Sequence, residues 1–189
     1  MIHPHTRLAD LGASRGFGVV ATAPLPAGTI IWVRDLLDQR IPRAQAKALG
    51  PLFRPPLKHF TYWEPDRDLV LCWDHARFVN HHCEPTCLGA GYDFQLAVRD
   101  IEVGEEITDD YSTFGYAAEL PCTCGSPRCR GTIRRSDAPS LAADWDRRFA
   151  EALRRLPQVE QLLWSLVSEP DEVLAAIDDP ARLRGHPTE

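Results

Sequence analysis

Apolar residues gather in short runs over the first two-thirds of the chain and recur at helical spacing only near its end. Gly16-Phe-Gly-Val-Val-Ala-Thr-Ala23 reads as a short strand, Pro24 to Gly28 as a turn and Thr29-Ile-Ile-Trp-Val-Arg34 as a second strand, together a β-hairpin. Leu69-Val-Leu-Cys72 and Asp93-Phe-Gln-Leu-Ala-Val-Arg99 add further short strands, while Pro42, Pro51, Pro55 and Pro56 leave room for one short helical stretch, Arg43 to Leu49. Gly104-Glu-Glu-Ile-Thr-Asp-Asp-Tyr111, taken alone, reads as an edge strand with a solvated acidic face and a half-buried tyrosine. Many short strands joined by turns predict an irregular, mainly β fold with α additions. Beyond Arg135 the pattern changes: Leu141, Trp145, Phe149, Leu153 and Leu156 predict an amphipathic helix. Pro157 interrupts it, Val159, Leu162, Leu163 and Leu166 continue the apolar stripe, and Ser168-Glu-Pro-Asp171 resembles a capping box opening a last helix through Ile177. This helical appendage, residues 139–180, is expected to pack against the body and finish the core rather than serve as a dimer face or a substrate lid.

The chain of 189 residues is long enough for one full-sized domain, and its 44% hydrophobic and 25% charged content excludes disordered and fibrous classes. No apolar run approaches the roughly 20 residues that span a bilayer, and the first thirty residues lack a basic start followed by a long apolar core. A soluble, intracellular and most simply cytoplasmic protein with no membrane partner is therefore expected. The net charge of −6, from 21 basic and 27 acidic residues, gives nucleic-acid binding no global electrostatic source. A cationic partner is the easier expectation. Six cysteines without a secretion signal pose a choice between metal and free thiols rather than a disulfide framework, and Cys72 and Cys87 are expected to be ordinary buried thiols.

Cys122-Thr-Cys-Gly-Ser-Pro-Arg-Cys129 brings three thiolates within reach of one tetrahedral ion, because Cys-x-Cys-x₄-Cys in a Gly/Pro-containing loop folds back on itself. Three ligands leave one position, for which Cys83, His81, His82 and Cys87 compete. The Asn80-His81 pair offers donors and acceptors together, suited either to a polar cofactor or to locking a buried turn. Gly16-Phe-Gly18 lets the backbone approach a neighbour closely, a feature that turns also use.

Taken in order, Gly16-Phe-Gly18, Arg77-Phe-Val-Asn-His-His-Cys-Glu-Pro-Thr86, Gly104-Glu-Glu-Ile-Thr-Asp-Asp-Tyr111 and Cys122-x-Cys124-x₄-Cys129 resemble the successive motifs of SET-domain protein-lysine methyltransferases with a zinc-binding post-SET segment. The resemblance covers about residues 12–133. It implies a β-clip-like fold of small twisted sheets with a pseudoknot, a SET domain over 8–115 with a short insert at about 35–68, a post-SET segment over 116–135, and the helical appendage outside the family pattern. It further implies that Gly16, Phe17, Gly18, Arg77, Asn80 and His81 hold S-adenosylmethionine, that Cys83 joins Cys122, Cys124 and Cys129 on a structural zinc ion, and that Tyr111 is catalytic. The implied reaction is in-line methyl transfer to a lysine ε-amine of a protein substrate. The alternative is a catalytically weak, zinc-containing peptide-binding module.

Three positions depart from the family pattern: His82 replaces Ser, Thr86 replaces Asn, and Asp109 stands where Tyr or Phe lines the substrate channel. An ionised carboxylate facing the amine would stabilise its ammonium form. Asp109 therefore points away, is protonated, or serves a different handling of the substrate. Arg128, Arg130, Arg134 and Arg135 offer one local basic patch, for nucleic acid or for an acidic flank of a protein substrate.

Overall fold

The computed structural model describes residues 1–64, 68–114 and 119–186. Among the described residues, four small sheets and four α-helices are formed by β1 (Thr6–Asp10), β2 (Phe17–Ala21), β3 (Ile30–Val33), β4 (Gln39–Ile41), α1 (Arg43–Ala48), α2 (Arg54–Phe60), β5 (Thr61–Trp63), β6 (Leu69–Leu71), β7 (Asn80–His81), β8 (Cys87–Leu88), β9 (Phe94–Ala97), β10 (Glu106–Asp109), β11 (Leu120–Pro121), β12 (Thr132–Ile133), α3 (Ala138–Leu153) and α4 (Pro170–Asp178). The sheets run β1-β2-β10-β7, β3-β9-β8, β4-β6-β5 and β11-β12. None of the described helices is long and apolar enough to cross a membrane.

The expected hairpin of residues 16–34 does not form. β2 pairs with β1 and β10, whereas β3 pairs with β9 in another sheet. The reason lies in β3 itself, which is apolar on both faces: Ile30 and Val33 enter one buried cluster and Ile31 the other. Such a strand is a wall between two cores. The acidic stretch before Tyr111 is likewise no solvated edge. β10 is an inner strand, antiparallel to β2 and parallel to β7, and Asp109 and Asp110 are 1% and 0% exposed.

α2 arises where the sequence suggested only proline-punctuated loop. Pro55 and Pro56 occupy its first turn, where the missing N–H groups cost nothing. The C-terminal helices share the larger core with the β3-β9-β8 sheet: Trp145, Phe149 and Leu153 of α3 and Val173 of α4 are buried with Phe94 and Leu96. Gln161 adds polar ties, accepting from the Ile30 N–H at 3.0 Å and donating to the Gly28 carbonyl at 2.7 Å. The apolar stripe does not continue past Pro157 as one helix. A 3-10 turn over Leu156–Gln158 ends it, and of the later stripe positions Leu163 is buried while Leu162 and Leu166 are exposed. Nor is α4 opened by a capping box. Pro170 starts the helix after Glu169, whose carboxylate is engaged by Arg184 at 2.5 Å instead of turning back on the backbone.

Candidate functional site

The site is assembled where β7 lies parallel to β10, in register Thr108 to Asn80 and Asp109 to His81. A two-residue strand is held there by flanking bonds: the His82 N–H donates to the Asp109 carbonyl at 3.0 Å and the Tyr111 N–H to His81 Nδ1 at 3.2 Å. Burial, opposed in part by Asp110, lowers the His81 pKa to about 4. The ring is therefore neutral at physiological pH, and with Nδ1 accepting, its proton sits on Nε2, which faces Cys83 Sγ at 3.3 Å. Tyr111 closes the arrangement: its hydroxyl donates to the Val79 carbonyl at 2.7 Å.

On the other side of β7, Asn80 Nδ2 donates to the Phe17 carbonyl at 3.0 Å and to Glu106 Oε1 at 2.9 Å, and Glu106 Oε2 is paired with Arg15 at 2.6 Å. Gly18 makes this close approach possible, since a Cβ there would lie 2.9 Å from Asn80 Nδ2 and 2.7 Å from Glu106 Oε1. Gly16 has φ +69 and open space around it. Phe17 is 54% exposed and meets Phe78 edge-on, with Arg77 stacked over the Phe78 ring. Gly16, Phe17, Gly18 and Asn80 thus meet at one end of the β1-β2-β10-β7 sheet, whereas the His81 ring is turned to the other side of β7 and Arg77 also borders the cavity that Tyr111 lines. Asn80 Oδ1 has no partner among the described residues, and with an exposed aromatic face beside it this end suits a polar, ring-containing cofactor.

The four sulfurs of Cys83, Cys122, Cys124 and Cys129 lie within 4.8 Å of one another, with Cys122 3.7 Å from Cys83 and 3.6 Å from Cys129. A tetrahedral zinc with Zn–S of about 2.3 Å sets its sulfurs about 3.8 Å apart, so the donor set fits such an ion in spacing and in softness. The other ligand candidates are turned elsewhere. His81 contacts Cys83 by hydrogen bond, His82 Nδ1 accepts from the Glu84 N–H at 3.0 Å, and the buried Cys87 thiol donates to the Thr108 carbonyl at 3.1 Å. Cys72 is buried as well. The cysteine loop reaches the rest of the site through Arg130, whose guanidinium meets the fully buried Asp110 at 2.7 Å and whose N–H points at Cys83 Sγ at 3.4 Å. That pairing, together with Arg128–Glu84 and Arg134–Glu119, also spends most of the basic patch expected beside the cysteines.

A cavity of about 530 Å³ opens on the far side of Tyr111, lined among others by Trp32, Tyr62, Phe114, Gln95 and Asp109. Its aromatic rings touch in sequence: Trp32 and Tyr62 lie 5.9 Å apart, Tyr62 and Phe114 5.6 Å, Phe114 and Tyr111 5.8 Å. Asp109 does not point away from this wall. Burial pushes its carboxyl well above the usual carboxylate range, while the Asp110 N–H and the Gln95 carboxamide both bond to it. Of the three alternatives for Asp109, pointing away does not match these surroundings; burial favours the protonated form, and the two N–H donors oppose it. Gln95, Tyr62 and Phe114 carry no motif that marks them in the sequence; Glu106 stands within the Gly104–Tyr111 motif without a role of its own, and Arg130 is marked only as part of the basic patch.

The SET domain model matches residues 16–112, and the chain belongs to the SET-domain family. Among curated relatives it is 29% identical over 154 residues to the histone-lysine N-methyltransferase ATX2 of Arabidopsis thaliana, covering 68% of this chain and 13% of that protein. It is 32% identical over 136 residues to the H3 lysine-36 specific histone-lysine N-methyltransferase of Schizosaccharomyces pombe, covering 65% and 17%. With the histone-lysine N-methyltransferase TRX1 of Oryza sativa subsp. japonica the identity is 31% over 156 residues, covering 72% and 15%. The chain thus spans less than a fifth of the length of these relatives. A crystal structure of KRYPTONITE in complex with mCHG DNA and SAH aligns with a TM-score of 0.47 and 22% identity, covering 68% of this chain and 28% of that one.

Proposed function

We propose that this chain is an S-adenosylmethionine-dependent protein-lysine N-methyltransferase carrying a structural zinc ion. The observation that carries the reading is the parallel pairing of β7 with β10, which sets the Asn80 carboxamide on one side of a two-strand partition and the Tyr111-lined aromatic cavity on the other. Two reactants held on opposite sides of one thin wall are what an in-line transfer between them needs. The relatives named for histone-lysine methylation support lysine in a protein as the acceptor.

Gly16, Phe17, Gly18, Arg77, Asn80 and His81 would hold S-adenosylmethionine, which supplies an electrophilic methyl group. The protein's work is then positional. Because the Tyr111 hydroxyl proton is committed to the Val79 carbonyl, its oxygen meets a substrate only as an acceptor. It can take an N–H of the neutral amine and so aim the nitrogen lone pair. Exposing a neutral lysine amine at neutral pH costs roughly 4 kcal/mol from an ordinary pKa near 10.4. The aromatic walls lower that cost by stripping water from the ammonium form. A neutral Asp109 fits the same task, since it adds no anion that would hold the proton on the amine. Cys83, Cys122, Cys124 and Cys129 would hold zinc, fixing the loop whose Arg130 supports Asp110 next to Tyr111.

Calorimetric titration of zinc-loaded protein with S-adenosylmethionine tests the reading. Saturable one-to-one binding that disappears in Asn80→Ala is the expected result. No heat of binding from folded, metal-loaded protein would leave the motifs as scaffold and favour the peptide-binding module.

A further inference from the structure

The chain has only two lysines, Lys47 and Lys58, and both stand in one cleft of the insert between β4 and β5. That cleft has a volume of about 420 Å³. On one side α1 presents Arg43, Ala46 and Lys47, and on the other α2 presents Arg54, Leu57 and Lys58. Each triplet is a cation, an apolar residue and a cation at i, i+3, i+4, the spacing of one helix face. Two matching faces therefore look onto one floor, formed by Trp63 and Leu69, which are cross-strand partners.

Residues 43–60 contain no aspartate or glutamate, and none of the four cations has a carboxylate partner among the described residues. Elsewhere in this acidic chain Arg15, Arg34, Arg99, Arg130 and Arg147 are ion-paired, whereas Arg7, Arg77, Arg148, Arg154 and Arg182 stand apart from one another without an ion pair among the described residues; only the insert gathers such cations around one cleft. Four positive charges without a carboxylate partner among the described residues repel one another around an indented surface, and an anionic occupant relieves that repulsion. The cleft also adjoins the aromatic cavity directly, since Thr61 and Trp63 line both.

We propose that this cleft binds an acidic segment of the protein substrate, so that the enzyme selects lysines flanked by aspartate or glutamate. The orientation relative to the target lysine rests on the methyltransferase reading, whereas occupancy of the cleft does not. An acidic peptide fits better than nucleic acid because the net charge of −6 opposes a polyanion beyond the cleft, while the apolar floor accepts the stems of Glu side chains.

The test uses the full, zinc-loaded chain and two fluorescein-labelled twelve-residue peptides, each with one lysine, one flanked by Asp and Glu and the other by Asn and Gln. Fluorescence anisotropy is expected to show the acidic peptide binding at least about tenfold more tightly, with the preference lost at high salt and in Lys47→Glu/Lys58→Glu. Lys47→Gln/Lys58→Gln should be intermediate. Unchanged zinc content and thermal unfolding would show that both variants fold. Equal binding of the two peptides, an acidic preference untouched by the variants, or tighter binding of a single-stranded DNA of equal charge that the variants abolish would each overturn the proposal. Methyl transfer from labelled S-adenosylmethionine to the same peptides is scored separately. Transfer to both at equal rates removes the selectivity and keeps the enzyme; acidic binding without transfer keeps the cleft and removes the enzyme.

Discussion

The hydroxyl of Tyr111 donates to the main-chain carbonyl of Val79 at 2.7 Å, one residue before Asn80. The cavity wall and the proposed cofactor end are thereby fixed to the same two-residue strand. Removing the hydroxyl leaves the ring between His81 and Phe114 but frees the carbonyl and deletes the acceptor that aims the amine. Tyr111→Phe is expected to lower single-turnover methylation by about 10²-fold or more. Its S-adenosylmethionine affinity should stay within a few-fold of wild type by calorimetry, and its stability should fall by about 1 kcal/mol in urea. Unchanged turnover would take Tyr111 out of the mechanism.

Asp109 makes a prediction with a defined sign. Burial raises its folded pKa well above the ordinary carboxylate value of about 3.9. Between those two values the unfolded chain has released the proton and the folded chain has kept it, so stability falls as pH rises, by about 1.4 kcal/mol per pH unit for this one group. Asp109→Asn replaces a neutral carboxyl with a neutral amide, and the Gln95 carboxamide can turn over to match it. The variant is therefore expected to be more stable than wild type, by a margin that widens as pH rises above the ordinary carboxylate range and levels off above the folded pKa. Paired urea titrations at pH 6, 7, 8 and 9 read this margin. Turnover should stay within a few-fold of wild type, and a flat margin with collapsed turnover would mean the carboxyl works as an anion.

How far the sequence reveals this site depends on whether a feature is local. The Cys-x-Cys-x₄-Cys loop, the Asn-His pair and the Gly-x-Gly turn are short spacings, and each is legible because neighbours in sequence are neighbours in space. The aromatic cavity is not, because Trp32, Tyr62 and Phe114 come from distant segments with no shared period. Residue type also misleads at Asp109 and Asp110, which read as solvated and are buried by an inner strand and by Arg130. The hairpin error has the same root: strand propensity locates β2 and β3 but does not choose their partners, and a strand apolar on both faces is the clue that it separates two cores. The basic cleft has no signature in the sequence, because Arg43, Lys47, Arg54 and Lys58 share one floor only once α1 and α2 are folded.

Metal removal should act on more than the loop. With Cys83 two residues beyond His81 and Arg130 next to Cys129, the cysteine cluster ties β7 to the segment carrying Asp110 and Tyr111. Purified protein is expected to hold one zinc per chain by mass spectrometry under native conditions. Stripping it with a chelator, or Cys124→Ser, should lower turnover in step with metal content and cost several kcal/mol of stability, because ligand binding to the folded state is folding free energy. Cys72→Ser, at a buried thiol outside the cluster, should keep full metal content. Zinc retained by Cys124→Ser at full occupancy would exclude that cysteine from the site.

Gly18 carries the last prediction because it fails in a specific direction. Its Cβ would lie 2.4 Å from Leu11 Cδ1, 2.7 Å from Glu106 Oε1 and 2.9 Å from Asn80 Nδ2. Leu11 can swing its side-chain end away, but the Glu106 and Asn80 groups are bonded to each other and cannot both yield without opening that bond. Gly18→Ala should thus displace the Asn80 carboxamide, weakening S-adenosylmethionine binding by about tenfold or more while costing about 1–3 kcal/mol of stability. Gly104→Ala is the control: at φ +81 with nothing within 4 Å, it is strained by about 1 kcal/mol but touches no cofactor residue. Its affinity should match wild type. If both variants lost affinity equally, general loosening of the sheet rather than the position of Asn80 would be the cause, and the Gly18–Asn80 contact would carry no part of cofactor recognition.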